Sequence, residues 1–97
     1  MPTYISLIHF THKGVEEIKQ SPARLDQVKA AAKAAGGELK AFYLTLGRYD
    51  AVVIGEGPSD EAYARVLLAT AGAGAVRTET MRAFTEEEYR KLLAPLA

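Results

Sequence analysis

Residues 38–56 read Glu-Leu-Lys-Ala-Phe-Tyr-Leu-Thr-Leu-Gly-Arg-Tyr-Asp-Ala-Val-Val-Ile-Gly-Glu, and this stretch decides the fold. It contains two runs of mostly apolar residues, 38–46 and 50–56, whose length and β-branched and aromatic content are typical of strands. The connection between them, Gly47-Arg48-Tyr49, is too short to be anything except a hairpin turn. The stretch therefore predicts two adjacent antiparallel strands.

The segments on either side of this hairpin each predict one helix and one strand. Upstream, residues 3–10 favour a strand, and Ser21-Pro22 favours the N-cap and first position of a helix that ends at Gly36-Gly37. Downstream, Ser59 is expected to cap a helix that ends at residues 72–74, and residues 75–83 alternate as a fourth strand. The order predicts an α+β fold, a ferredoxin-like βαββαβ arrangement with a four-stranded antiparallel sheet and both helices on one face.

An extra helix is predicted at the C-terminal end. Thr85-Glu86-Glu87-Glu88 is a capping box, in which the threonine and the third glutamate satisfy each other's backbone amides. The apolar residues that follow recur at helical spacing and require a hydrophobic surface to pack against. These residues are Tyr89, Leu92, Leu93 and Leu96.

Both faces of the predicted sheet are apolar. The alternation places Tyr4, Ile8 and Phe10 on one side of the first strand and Ile5 and Leu7 on the other. On the second strand, one side carries Leu39, Ala41 and Tyr43, and the other carries Phe42, Leu44 and Leu46. On the third strand, one side carries Ala51 and Val53, and the other carries Val52 and Ile54.

Two helices cover only one face, and soluble monomers rarely expose an apolar patch of more than a few hundred Å². The pattern therefore predicts a homodimer packed sheet to sheet, with a higher oligomer also open. The alternative is that the C-terminal helix folds over the second face.

Composition limits the classes of protein to consider. The chain has 97 residues, 48% of them hydrophobic, and its 12 basic and 12 acidic side chains cancel to a net charge of zero. We expect one domain over residues 1–97, with neither nucleic acid nor membrane as a partner, because no broad positive field exists. The chain has no cysteine, which excludes a disulfide and a cysteine nucleophile and favours a cytoplasmic location.

The hairpin and the first strand carry the first candidate site residues. Tyr49 and Asp50, with Arg48 beside them, could bind or protonate a polar group, or could complete the turn. His9 could act near neutral pH from a strand face, although a hydrogen-bonded core histidine is the competing role. Its spacing from His12 is not that of a zinc helix, so we expect no metal.

Arg77 and the aromatic residues are further candidates for ligand binding. Arg77 could anchor an anion if it is buried, although a charged residue on an edge strand more often deters aggregation. Tyr4, Tyr43 and Phe10 could line an apolar pocket with a polar rim, the usual design of a small-molecule site. Core packing accounts for the same three residues.

The sequence resembles the GYD-domain family, a small bacterial family of dimeric α+β barrels with a ferredoxin-like fold. The similarity lies in residues 4–7, 21–24, 41–53, 77–80 and 82–85, and the family motif corresponds to Gly47, Tyr49 and Asp50 with Arg48 interposed. The resemblance implies a fold and a dimer, but it implies no reaction, because the family has no assigned activity.

Three hypotheses about function follow. The first is a ligand-binding or non-catalytic homodimer with a pocket between sheet and helices. The second is a cofactor-free enzyme, similar to a small monooxygenase or an isomerase, that acts on a small apolar or aromatic substrate through His9, Tyr49 and Asp50. The third is an interaction domain for another protein. We expect no cofactor in any of them.

Overall fold

The computed structural model describes residues 1–96 of the chain. Its strands are β1 (Thr3–Phe10), β2 (Glu38–Leu44), β3 (Ala51–Glu56) and β4 (Val76–Ala83). Its helices are α1 (His12–Glu16), α2 (Ser21–Ala34), α3 (Asp60–Gly72) and α4 (Glu86–Leu93), with short 3₁₀ turns at Ile18–Gln20 and Ala94–Leu96.

The four strands form one antiparallel sheet in the order β2-β3-β1-β4. β1 lies between β3 and β4, so that Ile5 pairs with Ile54 on one side and with Met81 on the other. The crossovers through α2 and α3 place both helices on the same face of the sheet. The ferredoxin-like βαββαβ prediction is confirmed, as is the extra helix at the C-terminal end.

The hairpin connection is longer than the sequence predicts. β2 ends at Leu44 and β3 begins at Ala51, so residues 45–50 form the loop. Thr45 N–H donates to the Asp50 carbonyl, and Gly47 adopts a φ of 132°, a conformation that side-chain-bearing residues rarely adopt. The antiparallel pairing that was predicted for these two strands is confirmed.

Two local predictions are wrong. Ser21 does not cap α2, because the preceding 3₁₀ turn runs directly into the helix and Gln20 occupies the N-cap position without a side-chain hydrogen bond. Leu39 does not share a face with Ala41 and Tyr43, because the register shifts between Leu39 and Ala41. This bulge at Lys40 turns Leu39 towards the helices.

The space between the sheet and its helices is only partly filled. Apart from Tyr4, the buried apolar residues are small or medium in size, and no large side chain within residues 1–96 is completely buried. Larger apolar residues of β1, α2 and α3 keep part of their surface accessible. The fold therefore encloses a cavity where a close-packed core would otherwise lie.

Helix α4 forms as the sequence predicts. Thr85 Oγ1 accepts from the Glu88 amide at 3.2 Å, and Glu88 Oε1 accepts from the Thr85 amide at 2.8 Å, which completes the capping box. Glu86 pairs with Arg90 at 2.8 Å and Glu87 with Lys91 at 3.4 Å on the polar side of the helix.

This helix does not fold over the second face of the sheet. In the described chain, α4 makes extensive contact only with the 3₁₀ turn that follows it. The Cα radius of gyration is 14.6 Å, against about 13 Å for a compact domain of this length, and the longest dimension is 52 Å. None of the helices within residues 1–96 has the length and apolarity needed to cross a bilayer.

Candidate functional site

A cavity of about 290 Å³ lies between the helix-bearing face of the sheet and helices α2 and α3. Each wall follows from the apolar stripe of its element: β1 contributes Phe10, β2 contributes Phe42, α2 contributes Leu25 and α3 contributes Val66. The helices meet the sheet through small residues such as Ala32, which leaves the space unfilled. The lining is therefore almost wholly apolar, as expected for a small-molecule site.

A row of hydroxyl groups crosses the floor of this cavity. Ser6, only 3% exposed, lies 2.8 Å from Thr80 through their side-chain oxygens. Thr80 in turn donates to Thr78 at 3.4 Å. The hydroxyl of Tyr63 on α3 faces Ser6, whose side chain lowers the pKa of the phenol. Ser6, Thr78 and Tyr63 all line the cavity, so the row presents polar groups to an otherwise apolar space.

Tyr63 is held in place by two neighbouring features. Tyr4 stacks on its ring with centroids 4.0 Å apart and planes inclined by 16°. A Cβ atom added at Gly55 would lie 2.7 Å from the Tyr63 hydroxyl oxygen, so glycine provides the room that the tyrosine needs. Burial raises the pKa of Tyr63, and the Ser6 side chain opposes part of that rise. The phenol is therefore neutral at physiological pH.

Tyr4 itself is buried at 5% exposure and does not line the cavity. Its hydroxyl donates to the Asp60 carboxylate in the first turn of α3. Burial, followed by the hydrogen bond and the negative charge of Asp60, raises the pKa of Tyr4 to about 12. The structure places this candidate residue behind Tyr63, where it supports the cavity wall.

The charged residues that line the cavity, within the described range, are Arg24 and Glu38. The Arg24 guanidinium is paired with the Glu17 carboxylate at 2.5 Å, and Glu38 is exposed and lies 3.6 Å from Lys40. The remaining polar groups on the lining are hydroxyls, one amide side chain and backbone. Such a cavity can hold a ligand and hydrogen-bond to it, but it offers no imidazole or buried carboxylate for proton transfer.

Within residues 1–96, no helix packs on the opposite face of the sheet, which we call the open face. Its middle is apolar and includes side chains as exposed as Tyr43, at 61%, and Met81, at 47%. The strand register places these residues on it: Ile5, Leu7, Ala41, Tyr43, Val52, Ile54 and Met81. Tyr43 therefore lies on this face, whereas Phe10, with which it was grouped, lines the cavity.

Three of the predicted site residues come together at one end of the open face. The rings of His9 and Tyr49 lie 4.9 Å apart and are tilted by 43°. Arg77 pairs with His9 across the β1–β4 ladder. The Tyr49 hydroxyl faces Glu79, and the hydrogen bond to this carboxylate, more than burial, raises the pKa of Tyr49. Glu79 completes a polar cluster that the sequence analysis did not single out as a site.

Asp50 joins the hairpin loop to the end of β1. Its carboxylate accepts from the Phe10 amide at 2.9 Å, and its own amide donates to the Ile8 carbonyl at 2.9 Å. The neighbouring Tyr49 carbonyl accepts from the Thr45 hydroxyl at 2.5 Å. These contacts are those of a residue that completes a turn, the structural role weighed for Asp50 above.

Sequence reasoning missed the hydroxyl row of Ser6, Thr78, Thr80 and Tyr63. A signal existed in part: Ser6 is a polar residue in the middle of an apolar strand and on the same side as Tyr4 and Ile8. Thr78 and Thr80 likewise alternate with Arg77 and Glu79 along β4. Nothing in the sequence places Tyr63 beside them, because that contact joins α3 to the sheet.

Comparisons with solved structures agree with this architecture. One is the crystal structure of a protein designated FFRP-DM1, with a TM-score of 0.62, 19% identity, and coverage of 87% of this chain and all of that one. Another is 5-chloro-2-hydroxyhydroquinone dehydrochlorinase from Burkholderia phenoliruptrix AC1100, in complex with 2,5-dihydroxybenzoquinone. Its TM-score is 0.61, with 17% identity and coverage of 90% of this chain and 97% of that one. At these identities the similarity shows the fold alone.

A curated relative is more similar in sequence. The chain is 34% identical over 84 residues to a protein from Thermus thermophilus named glutamine synthetase and cystathionine beta-lyase binding protein, and the match covers 86% of this chain and 88% of the relative. The family model of the GYD domain matches residues 4–93. By both measures this chain is a member of the GYD-domain family.

Proposed function

We propose that this protein is a cytoplasmic, homodimeric, non-catalytic binding module whose cavity takes a small and largely apolar molecule. The observation that carries the proposal is the cavity of about 290 Å³ with one row of neutral hydroxyls on its floor. Its volume is at the lower end of ligand pockets, which is enough for a molecule of one or two rings.

The polar groups of the cavity favour a neutral ligand. Arg24 is already paired with Glu17. A charged ligand would therefore lose its hydration on entering the cavity and find no free counter-charge there. Ser6, Thr78 and the neutral Tyr63 can each donate or accept a hydrogen bond. A ligand with one hydroxyl or carbonyl oxygen at the end of an apolar body matches this lining.

The open face supports the homodimer. It remains uncovered in the monomer, and its apolar strip spans all four strands. A second copy of the same sheet would cover it, with a contact of roughly 1,200 to 2,000 Å² in total for a stable dimer. Light scattering at micromolar concentration tests this part of the proposal, and a monomeric mass would contradict it.

A neutral aromatic alcohol such as 2-naphthol is a suitable probe for the cavity, with its own fluorescence as the signal. Thr78→Val removes one hydroxyl of the row without changing the shape of the side chain, and we expect the probe to bind about 2- to 10-fold more weakly. The matched control is Thr70→Val, because the Thr70 hydroxyl also borders the cavity but donates to the Val66 carbonyl of its own helix.

Equal affinity of the two valine variants would contradict the role of the hydroxyl row. Native mass spectrometry of freshly purified protein provides an independent readout, because a molecule that remains bound in the cavity adds its mass to the chain. The cavity would be contradicted as a binding site if the probe does not bind and native mass spectrometry shows no molecule bound to the chain.

A second candidate function is docking onto an enzyme of metabolism. It is supported by the name of the Thermus thermophilus relative, which describes a protein that binds glutamine synthetase and cystathionine beta-lyase. The exposed apolar residues of the open face and of α4 offer the surface that such docking needs. Co-sedimentation of purified protein with each of these two enzymes tests it, and independent sedimentation of both mixtures would contradict it.

A further inference from the structure

Two segments of the chain expose large apolar side chains at the edges of the domain. The first, which we call the arm, comprises residues 84–96: α4 and the 3₁₀ turn after it. Its stripe of Tyr89, Leu92, Leu93 and Leu96 is between 42% and 78% exposed. The second, which we call the hairpin tip, comprises residues 43–48, where Tyr43, Leu44 and Leu46 are between 61% and 99% exposed.

These two segments occupy diagonally opposite corners of the sheet. The arm leaves the outer strand β4 at Ala83, which pairs with Thr3. The hairpin tip begins on the other outer strand, β2, at the end where Leu44 pairs with Ala51. Three strand spacings and about seven residues separate the corners, a diagonal of roughly 27 Å. The arm therefore does not reach the hairpin tip of its own chain.

We propose that the arm of each copy docks on the hairpin tip of a second copy of this chain. The inference rests on the sheet-to-sheet homodimer proposed above. Packed sheets cross either nearly aligned or near a right angle. In aligned packing, the two-fold axis runs either along the strands or across them. In both cases the arm of one copy lies over a corner of the partner's sheet other than the hairpin tip.

Orthogonal packing allows two arrangements, one for each diagonal of the sheet. A two-fold axis along the diagonal through the arm places arm upon arm and hairpin tip upon hairpin tip. An axis along the other diagonal places each arm on the hairpin tip of the partner, twice in the dimer. Both arrangements are self-complementary, so the charges of the two segments must decide between them.

Charge favours the contact between arm and hairpin tip. The first turn of α4, which is nearest the sheet, carries Glu86, Glu87 and Glu88. The hairpin tip carries Arg48, which is exposed and has no carboxylate within 4.0 Å in residues 1–96. Three glutamates against Arg90 and Lys91 leave the arm with a net charge of −1, and Arg48 gives the hairpin tip a net charge of +1. Arm upon arm and tip upon tip would each bring like net charges together, whereas the mixed contact sets a negative segment against a positive one.

The helix of the arm is already formed in the single chain. Its capping box and its ion pairs at Glu86–Arg90 and Glu87–Lys91 all lie away from the apolar stripe, and together they favour the helix in isolation. A helix that is already formed loses less conformational entropy on docking. The two arm contacts add apolar area to the sheet-to-sheet contact and so bring the dimer closer to the size that stable interfaces need.

Cross-linking of engineered cysteines tests the proposal directly, since the chain has no cysteine of its own. The test protein carries Leu46→Cys on the hairpin tip and Leu92→Cys on the arm stripe, both at exposed positions, and is treated with a short bismaleimide. The matched control combines Leu46→Cys with Lys91→Cys, on the polar side of the same helix. Each single variant is treated alone.

We expect a covalent dimer from the Leu46→Cys/Leu92→Cys protein, formed about 10-fold faster than in the control because docking raises the effective concentration of the thiols. We also expect none from either single variant. Cross-linking of Leu92→Cys alone would overturn the proposal in favour of arm upon arm.

An unlinked protein that is dimeric by light scattering would overturn the docking of the arm but leave the homodimer standing. A monomeric mass would overturn both the docking of the arm and the homodimer. The cavity as a binding site is tested independently, by the affinity for 2-naphthol.

Discussion

Replacement of Asp50 by alanine separates a structural role for the hairpin from a binding role. The carboxylate accepts a hydrogen bond from the Phe10 amide at 2.9 Å in a partly buried position. Alanine would leave this amide without its acceptor at the end of β1. Loss of a hydrogen bond to a charged group costs about 1.5 to 3 kcal/mol, and the partial exposure of Asp50 places the expected loss near the lower limit, about 1 to 2 kcal/mol.

In a domain of this size, each kcal/mol lowers the melting temperature by about 4 to 8 °C, so Asp50→Ala should melt roughly 5 to 15 °C below the wild type. Circular dichroism melts at matched concentration measure this shift. Asp26→Ala, on α2 and outside the hydrogen bonds and ion pairs described, is the control and should melt within a degree or two of the wild type. A variant of Asp50 that melts like the wild type but no longer binds 2-naphthol would refute the structural argument.

Three further predictions follow from other contacts. Because burial and Asp60 raise the pKa of Tyr4 to about 12 from the ordinary value of 10.0, its contribution to stability is complete below pH 10 and declines as the pH rises towards 12; Tyr4→Phe should flatten this decline in urea titrations. Gly55→Ala should displace the Tyr63 ring, since the new Cβ would lie 2.7 Å from its hydroxyl, and should lower both melting temperature and probe affinity; unchanged values would contradict the packing described. Thr85→Ala removes the cap of α4 and should cost that helix about 0.5 to 2 kcal/mol, seen as faster hydrogen exchange within 86–93 and unchanged exchange in the sheet.

Much of the fold is predictable because its signals are local. The capping box at Thr85 and the cap at Ser59 depend on side chains three residues apart, and the structure contains both. The bulge at Lys40 was missed because the apolar pattern continues through it without a glycine or other irregularity. Ser21 was misread because its capping role depends on where the preceding turn ends.

The location of the cavity was predictable from the sequence, but the polar residues that line it were not. A pocket between sheet and helices follows from the topology, and Phe10 was expected to line it. The contact between Ser6 and Tyr63 joins two elements that are far apart in the chain. Tyr4 was a candidate for the lining of the pocket because it is aromatic, but in the structure it stacks behind Tyr63 and supports that ring. A single sequence shows secondary-structure propensities and the periodicity of its apolar residues, but such contacts depend on how α3 packs on the sheet.

The stacked pair of Tyr4 and Tyr63 also gives the protein an optical property. The chain has no tryptophan and five tyrosines, so tyrosine dominates its near-ultraviolet absorption and circular dichroism. Two phenol rings with centroids 4.0 Å apart and nearly parallel planes have coupled electronic transitions, and one of the two rings forms part of the cavity wall. Any molecule that enters the cavity and shifts Tyr63 changes that coupling. The protein therefore carries its own chromophore pair at the proposed binding site, and occupancy can be followed in the unlabelled chain.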